Sequence, residues 1–147
     1  MADIIAGLVH QFELIHREHM RDLPIVNPAL KVEAVGFEGF EDHQLGVLIT
    51  PWFMNLVLLP GNDEWATAQQ GDMSTIGFPS GPIEFTCCHD TEIGTYLSAV
   101  LFRSVLDVPD QPMAREVARR VMKGLFVSVP SGRKLSRRAL LTGLTTD

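Results

Sequence analysis

The sequence predicts an α+β fold: one domain with a mainly antiparallel sheet of about five strands, flanked by an N-terminal and a C-terminal helix. Three observations predict it. Apolar residues recur at helical spacing near both ends of the chain, in Ile4, Ile5, Leu8, Val9, Phe12 and Ile15 and again in Val117, Ala118, Val121 and Leu125. Between them lies an apolar stretch, LGVLITPWFMNLVLLPG from Leu45 to Gly61, that alternates at period 2 and is broken by Pro51. Two further strand-like runs, Ile83 to His89 and Ile93 to Leu101, flank the acidic turn Asp90-Thr91-Glu92.

The first helix is expected from about Asp3 to Met20, with Gln11, Glu13 and Arg17 on its polar side. Leu23-Pro24 to Pro28 ends it and forms a loop. Lys31 to Phe40 alternates as a strand, and Glu38 to His43 makes an acidic turn into the central hairpin. In that hairpin Leu45, Val47 and Ile49 share a face, and Phe53, Val57 and Leu59 alternate with Met54, Leu56 and Leu58. Pro51 stops the first strand and presets the turn. With both faces apolar, the hairpin must be covered on both sides or leave one side for a partner.

After Gly61, Asp63 is a candidate N-cap for a short helix through Trp65, Ala66 and Ala68. The glycines and prolines of Gly71 to Pro82 read as loop, and Phe102 to Pro109 as a connector. Asp110 is the expected N-cap of the second helix, with Pro112 in its first turn where a missing N–H costs nothing. Residues 1–130 therefore form the domain, and 131–147 a flexible basic tail.

Composition narrows the class. The 147 residues are 46% hydrophobic and carry a net charge of -6. From Met113 onward eight basic residues face two acidic ones, a net +6 against -12 for the rest. An acidic body suits a basic ligand, and equally a solvated surface. The first twenty residues lack a basic start and an unbroken apolar centre, which predicts a cytoplasmic protein. The hairpin stretch falls short of the about 20 apolar residues a membrane span needs, so direct membrane insertion is not expected. Basic residues without interleaved aromatics argue against nucleic acid.

Motifs for chemistry are few. Cys87-Cys88-His89-Asp90 is the densest cluster, but in a strand Cys87 and His89 share a face and Cys88 points away. A metal- or thiol-handling role for Cys87, Cys88 and His89 is the alternative reading. His16 and His19 stand one turn apart without a carboxylate or cysteine at a chelating interval. No glycine-rich phosphate loop, CxxC pair or HExxH helix is present. The expectation is no catalytic residue, no metal and no cofactor. Trp52, Trp65 and Met54 are candidates for an exposed apolar patch that accepts a segment of another protein.

Ile49-Thr50-Pro51-Trp52, the Leu59-Pro60-Gly61 exit and Arg137-Arg138-Ala139-Leu140-Leu141 with Gly143 resemble the HybE/HupJ family of nickel-iron hydrogenase assembly chaperones. The resemblance runs from the first helix into the tail. Some relatives carry a rubredoxin-like module with CxxC pairs, which has no counterpart in this sequence, so no iron site is carried over. The resemblance implies a non-enzymatic protein that binds a hydrogenase subunit precursor and delays export until cofactor assembly is complete. The implied partner is the small-subunit precursor with its twin-arginine signal, alone or together with the large subunit. Thr50, Pro51, Trp52, Met54, Trp65, Arg137, Arg138, Leu140 and Leu141 are the expected partner-binding residues. Ser136 to Leu141 itself resembles the core of a twin-arginine signal, either as a mimic of the client or as a basic tail packed on the sheet.

Overall fold

The computed structural model describes residues 2–62, 64–65, 67–90 and 93–127. Helix α1 (Ala2–Ile15) leads through a π-helical turn (His16–Met20) to strands β1 (Glu33–Phe40), β2 (His43–Thr50), β3 (Phe53–Leu59), β4 (Met73–Phe78), β5 (Gly81–Asp90) and β6 (Gly94–Phe102). Helix α2 (Gln111–Leu125) follows. All neighbouring strands are antiparallel, in the order β1-β2-β3-β6-β5-β4.

The period-2 pattern of the central hairpin sorts its side chains as expected. Leu45, Val47, Ile49, Met54, Leu56 and Leu58 join Phe85, Cys87, Leu97 and Ala99 in the larger core, closed by Ala114, Ala118, Val121 and Leu125 of α2. Leu48, Val57, Leu59 and Tyr96 project from the opposite face and pack on Leu8, with Ile4, Ile5, Val9 and Phe12 of α1 around them. Both apolar faces of β2 and β3 are thus covered, one by each helix. The sheet also curls: Phe40 at the end of β1 meets Phe78 at the end of β4 with ring centroids 5.0 Å apart, although these strands are its two edges.

The sheet has six strands rather than about five. The additional one is β4, in a segment whose glycines and prolines read as loop. Its prolines are compatible with pairing: Pro79 sits in the two-residue turn to β5, and Pro82 pairs with Gly77 at a position that needs no N–H. Where a short helix is expected after Gly61, the described residues form turns instead. Asn62 accepts from the Glu64 N–H at 2.8 Å, so an Asx turn forms one residue earlier than the anticipated cap; Asp63 and Ala66 lie outside the described residues. Asp110 caps α2 as expected, accepting from the Met113 N–H at 3.0 Å with Pro112 in the first turn.

Candidate partner-binding site at the Pro51–Trp52 turn

The turn between β2 and β3 is held from inside and outside. The buried Thr50 hydroxyl oxygen accepts from the N–H groups of Trp52 (3.2 Å) and Phe53 (3.0 Å) and donates to the Phe53 carbonyl (3.2 Å). That fixes Trp52 at the apex. The indole, half-buried, lies against Phe12 of α1 (ring centroids 6.3 Å), Phe53 (5.6 Å) and His16 in the π-helical turn (5.9 Å). Phe12 and Phe53 meet edge to face at 5.7 Å, completing an aromatic cluster where helix and hairpin meet.

Asn27 fastens two loops to this turn. Its N–H donates to the Pro51 carbonyl at 2.7 Å, and its amide nitrogen donates to the carbonyls of Val105 and Val108, both at 2.8 Å. Its amide oxygen accepts from Ala29 N–H at 2.9 Å. The two loops so joined present Leu23 (43% exposed), Ile25 (51%) and Leu106 (52%) to solvent. Large apolar groups exposed on loops bonded to the turn that carries a half-buried tryptophan are the composition of a protein-docking surface. A cavity of about 210 Å³ opens under α1 next to it, shared by Phe12 and Phe53 and floored by Asn55, Cys88, Tyr96 and Ser98.

The expected patch is therefore only partly assembled. Trp52 is at it, over a buried Thr50 and Pro51. Met54 is fully buried, because it lies on the face of β3 that packs under α2. Trp65 is 8% exposed and stacks on His43, with ring centroids 4.2 Å apart. Neither contributes to an exposed surface. Arg137, Arg138, Leu140 and Leu141 lie outside the described residues, as does the whole tail from 128. Sequence reasoning missed Asn27, Leu23, Ile25 and Leu106; the one available signal was Asn27-Pro28, a turn-forming pair inside an apolar run.

Trp65 belongs to a second assembly that explains the Leu59-Pro60-Gly61 exit. His43 Nδ1 accepts from the Gly61 N–H at 3.0 Å, so Nε2 carries the proton and donates to Glu64 at 2.9 Å. A Cβ on residue 61 would be driven into the Asp42 carbonyl, so only glycine lets the chain pass there.

The cysteines do not converge. Cys87 points into the larger core and Cys88 to the opposite face, and burial raises both thiols, with Asp72 adding to the effect at Cys87 and Cys87 at Cys88. His89 Nε2 lies 2.8 Å from the Ala68 carbonyl oxygen, where it donates. His16 packs on Trp52 while His19 is exposed. Among the described residues, no group of three or more His, Cys, Asp and Glu is placed to hold a metal ion. Nor is any described helix long and apolar enough to cross a membrane.

Comparison with known proteins places the chain. A protein-family model described as NiFe-hydrogenase assembly, chaperone, HybE matches residues 3–143. "Hydrogenase expression/formation protein HupJ" of Bradyrhizobium diazoefficiens is 40% identical over 136 residues, 92% of this chain and 78% of that protein. "Probable rubredoxin HupJ" of Rhodobacter capsulatus is 41% identical over 123 residues, 83% of this chain but 44% of the relative, so the chain spans less than half of that protein. The solution structure of HybE from Escherichia coli superposes with a TM-score of 0.67 at 26% identity, covering 89% of this chain and 86% of that one. With the family model spanning nearly the whole chain and the fold shared with HybE, this protein belongs to the HybE family of NiFe-hydrogenase assembly chaperones.

Proposed function

We propose that this protein binds the precursor of a hydrogenase small subunit through its twin-arginine signal, in the cytoplasm, and delays export until cofactor assembly is complete. It performs no reaction of its own. The observation that carries the reading is the Pro51–Trp52 apex, a fixed aromatic cluster with exposed Leu23, Ile25 and Leu106 on loops clamped beside it. A twin-arginine signal is a basic pair followed by an apolar run. The apolar run suits the Trp52 surface, and the basic pair suits a stretch of chain, from Val32 to Phe102, that carries ten Asp and Glu and no Lys or Arg, four of those carboxylates being in the strands themselves.

A calorimetric titration of the full chain with the small-subunit signal peptide tests this, beside a control peptide with both arginines replaced by glutamine. Binding is expected for the first, with at least tenfold loss for the control and for Trp52→Ala against the native peptide. Equal affinity for the two peptides, or no affinity for either, refutes signal recognition.

A further inference from the structure

The two edges of the sheet differ in what they offer a partner. Edge strand β1 is protected: its register shifts between Val35 and Glu38, Gly36 turns into the left-handed region at φ 71°, and Glu33 and Glu38 place charge along it. Arg115 of α2 pairs with Glu33 at 2.9 Å, and Met122 packs over Gly36. Edge strand β4 has none of these devices over Met73–Gly77; only its Phe78 end is covered, by Phe40 of β1 and Phe126 beyond α2. Its sequence, MSTIGF, is uncharged, and it pairs with β5 in six unbroken positions.

The pairing also shows which main-chain groups of β4 point outward. Pro82 has no N–H, so Gly77–Pro82 is not a hydrogen-bonded pair; the bonded ones are Phe78–Gly81, Ile76–Ile83 and Ser74–Phe85. The Cys87 N–H donating to the Asp72 carbonyl at 2.7 Å fits the same alternation. Met73, Thr75 and Gly77 therefore turn their N–H and C=O away from β5. All three are exposed, and a Cβ built on Gly77 meets only open space.

We propose that β4 is a strand-addition site for an extended, basic segment of the partner, which pairs with the outward groups of Met73, Thr75 and Gly77. This deepens the proposed function and rests on it for the identity of the partner. Charge selects the occupant. Glu84 stands directly across from Thr75 and Asp72 precedes the strand, both exposed, and β4, β5 and β6 contain no Lys or Arg. A second copy would bring another Asp72 and Glu84 to the same seam, whereas a lysine- or arginine-bearing strand neutralises them. Main-chain bonds supply affinity and the two carboxylates supply the preference.

Amide hydrogen exchange of the full chain, read by NMR, tests the proposal with two probes: the small-subunit signal peptide and a short alternating lysine–valine peptide. Saturating either probe should slow exchange at Thr75 and Gly77 at least tenfold, and a glutamate–valine peptide should leave them unchanged. Thr75→Pro deletes one outward donor without touching the β4–β5 ladder and should weaken both probes about tenfold; Glu84→Lys, on the exposed face, should weaken them by a similar factor. Signal-peptide binding that leaves Thr75 and Gly77 unprotected overturns strand addition while the chaperone reading stands. Protection by the lysine–valine peptide with no binding of the signal peptide supports the edge site and refutes the partner assigned above. Protection in the isolated chain that rises with its concentration assigns the edge to a second copy and overturns the proposal.

Discussion

Asn27 is the residue whose removal should reach furthest. It is buried, and its side chain makes three hydrogen bonds: donation to Val105 O and Val108 O and acceptance from Ala29 N–H. Asn27→Ala deletes all three and strands the Val105 carbonyl in the core. At about 1 kcal/mol net per bond, with an orphaned buried group raising the total, the loss is about 2–4 kcal/mol. Asn27→Asp preserves size and the bond from Ala29 but turns a carboxylate oxygen toward two carbonyls, so it should cost at least as much. Urea unfolding measures this directly. With a slope of about 2 kcal/mol per molar, a loss of that size lowers the midpoint by about 1–2 M. Because the side-chain bonds hold the loop carrying Leu106 to the loop carrying Leu23 and Ile25, which keeps its own main-chain bond to Pro51, partner affinity should fall even where the variant remains folded. A midpoint for Asn27→Asp equal to that of the native chain would refute the clamp.

Other predictions concern the exit glycine, acid stability and the thiols. Gly61→Ala should cost about 3 kcal/mol or more, because the new methyl collides with the backbone carbonyl of Asp42 rather than with a side chain that can move; a thermal melt within 2 °C or so of the native one would contradict this. Burial acts to raise the Glu33 carboxyl, but bonds from Arg115 and Gln111 outweigh it and hold the group below its ordinary range. A folded value below the unfolded value of about 4.3 gives stability that is fully present above that pH and is lost as pH falls through the folded value. Glu33→Gln should therefore flatten that part of the stability curve between about pH 5 and the acid limit, and an unchanged slope would show that the pair contributes nothing. Thiol alkylation at neutral pH should be slow at both cysteines and slower at Cys87, which is buried in the larger core; rapid reaction at Cys87 would contradict its placement.

Local physics was enough for the pattern of the fold. Alternation along Leu45–Leu59 assigned each side chain to a face, and Asp110 with Pro112 located the start of α2, because strand pleat and helix capping are set within a few residues. Where tertiary pairing outweighs local propensity, the reading failed: β4 is a strand because β5 offers it a partner in register, despite the glycines and prolines around it. The family resemblance was legible in short motifs, and the structure gives two of them a cause. Thr50 ties the turn that carries Trp52, and Gly61 passes where no side chain fits.

What the sequence by itself determined is the fold class, the two-faced hairpin, the cysteines on opposite faces and the acidic cast of the sheet. What only the tertiary structure decided is which apolar groups face water. Met54 and Trp52 lie two residues apart, and hydrophobicity cannot separate them; α2 covers one, and the turn lifts the other to the surface. Asn27 was similarly unreadable, because the carbonyls it binds at Val105 and Val108 are about eighty residues away in sequence. Exposure and long-range hydrogen bonding are properties of packing, fixed only when distant segments meet.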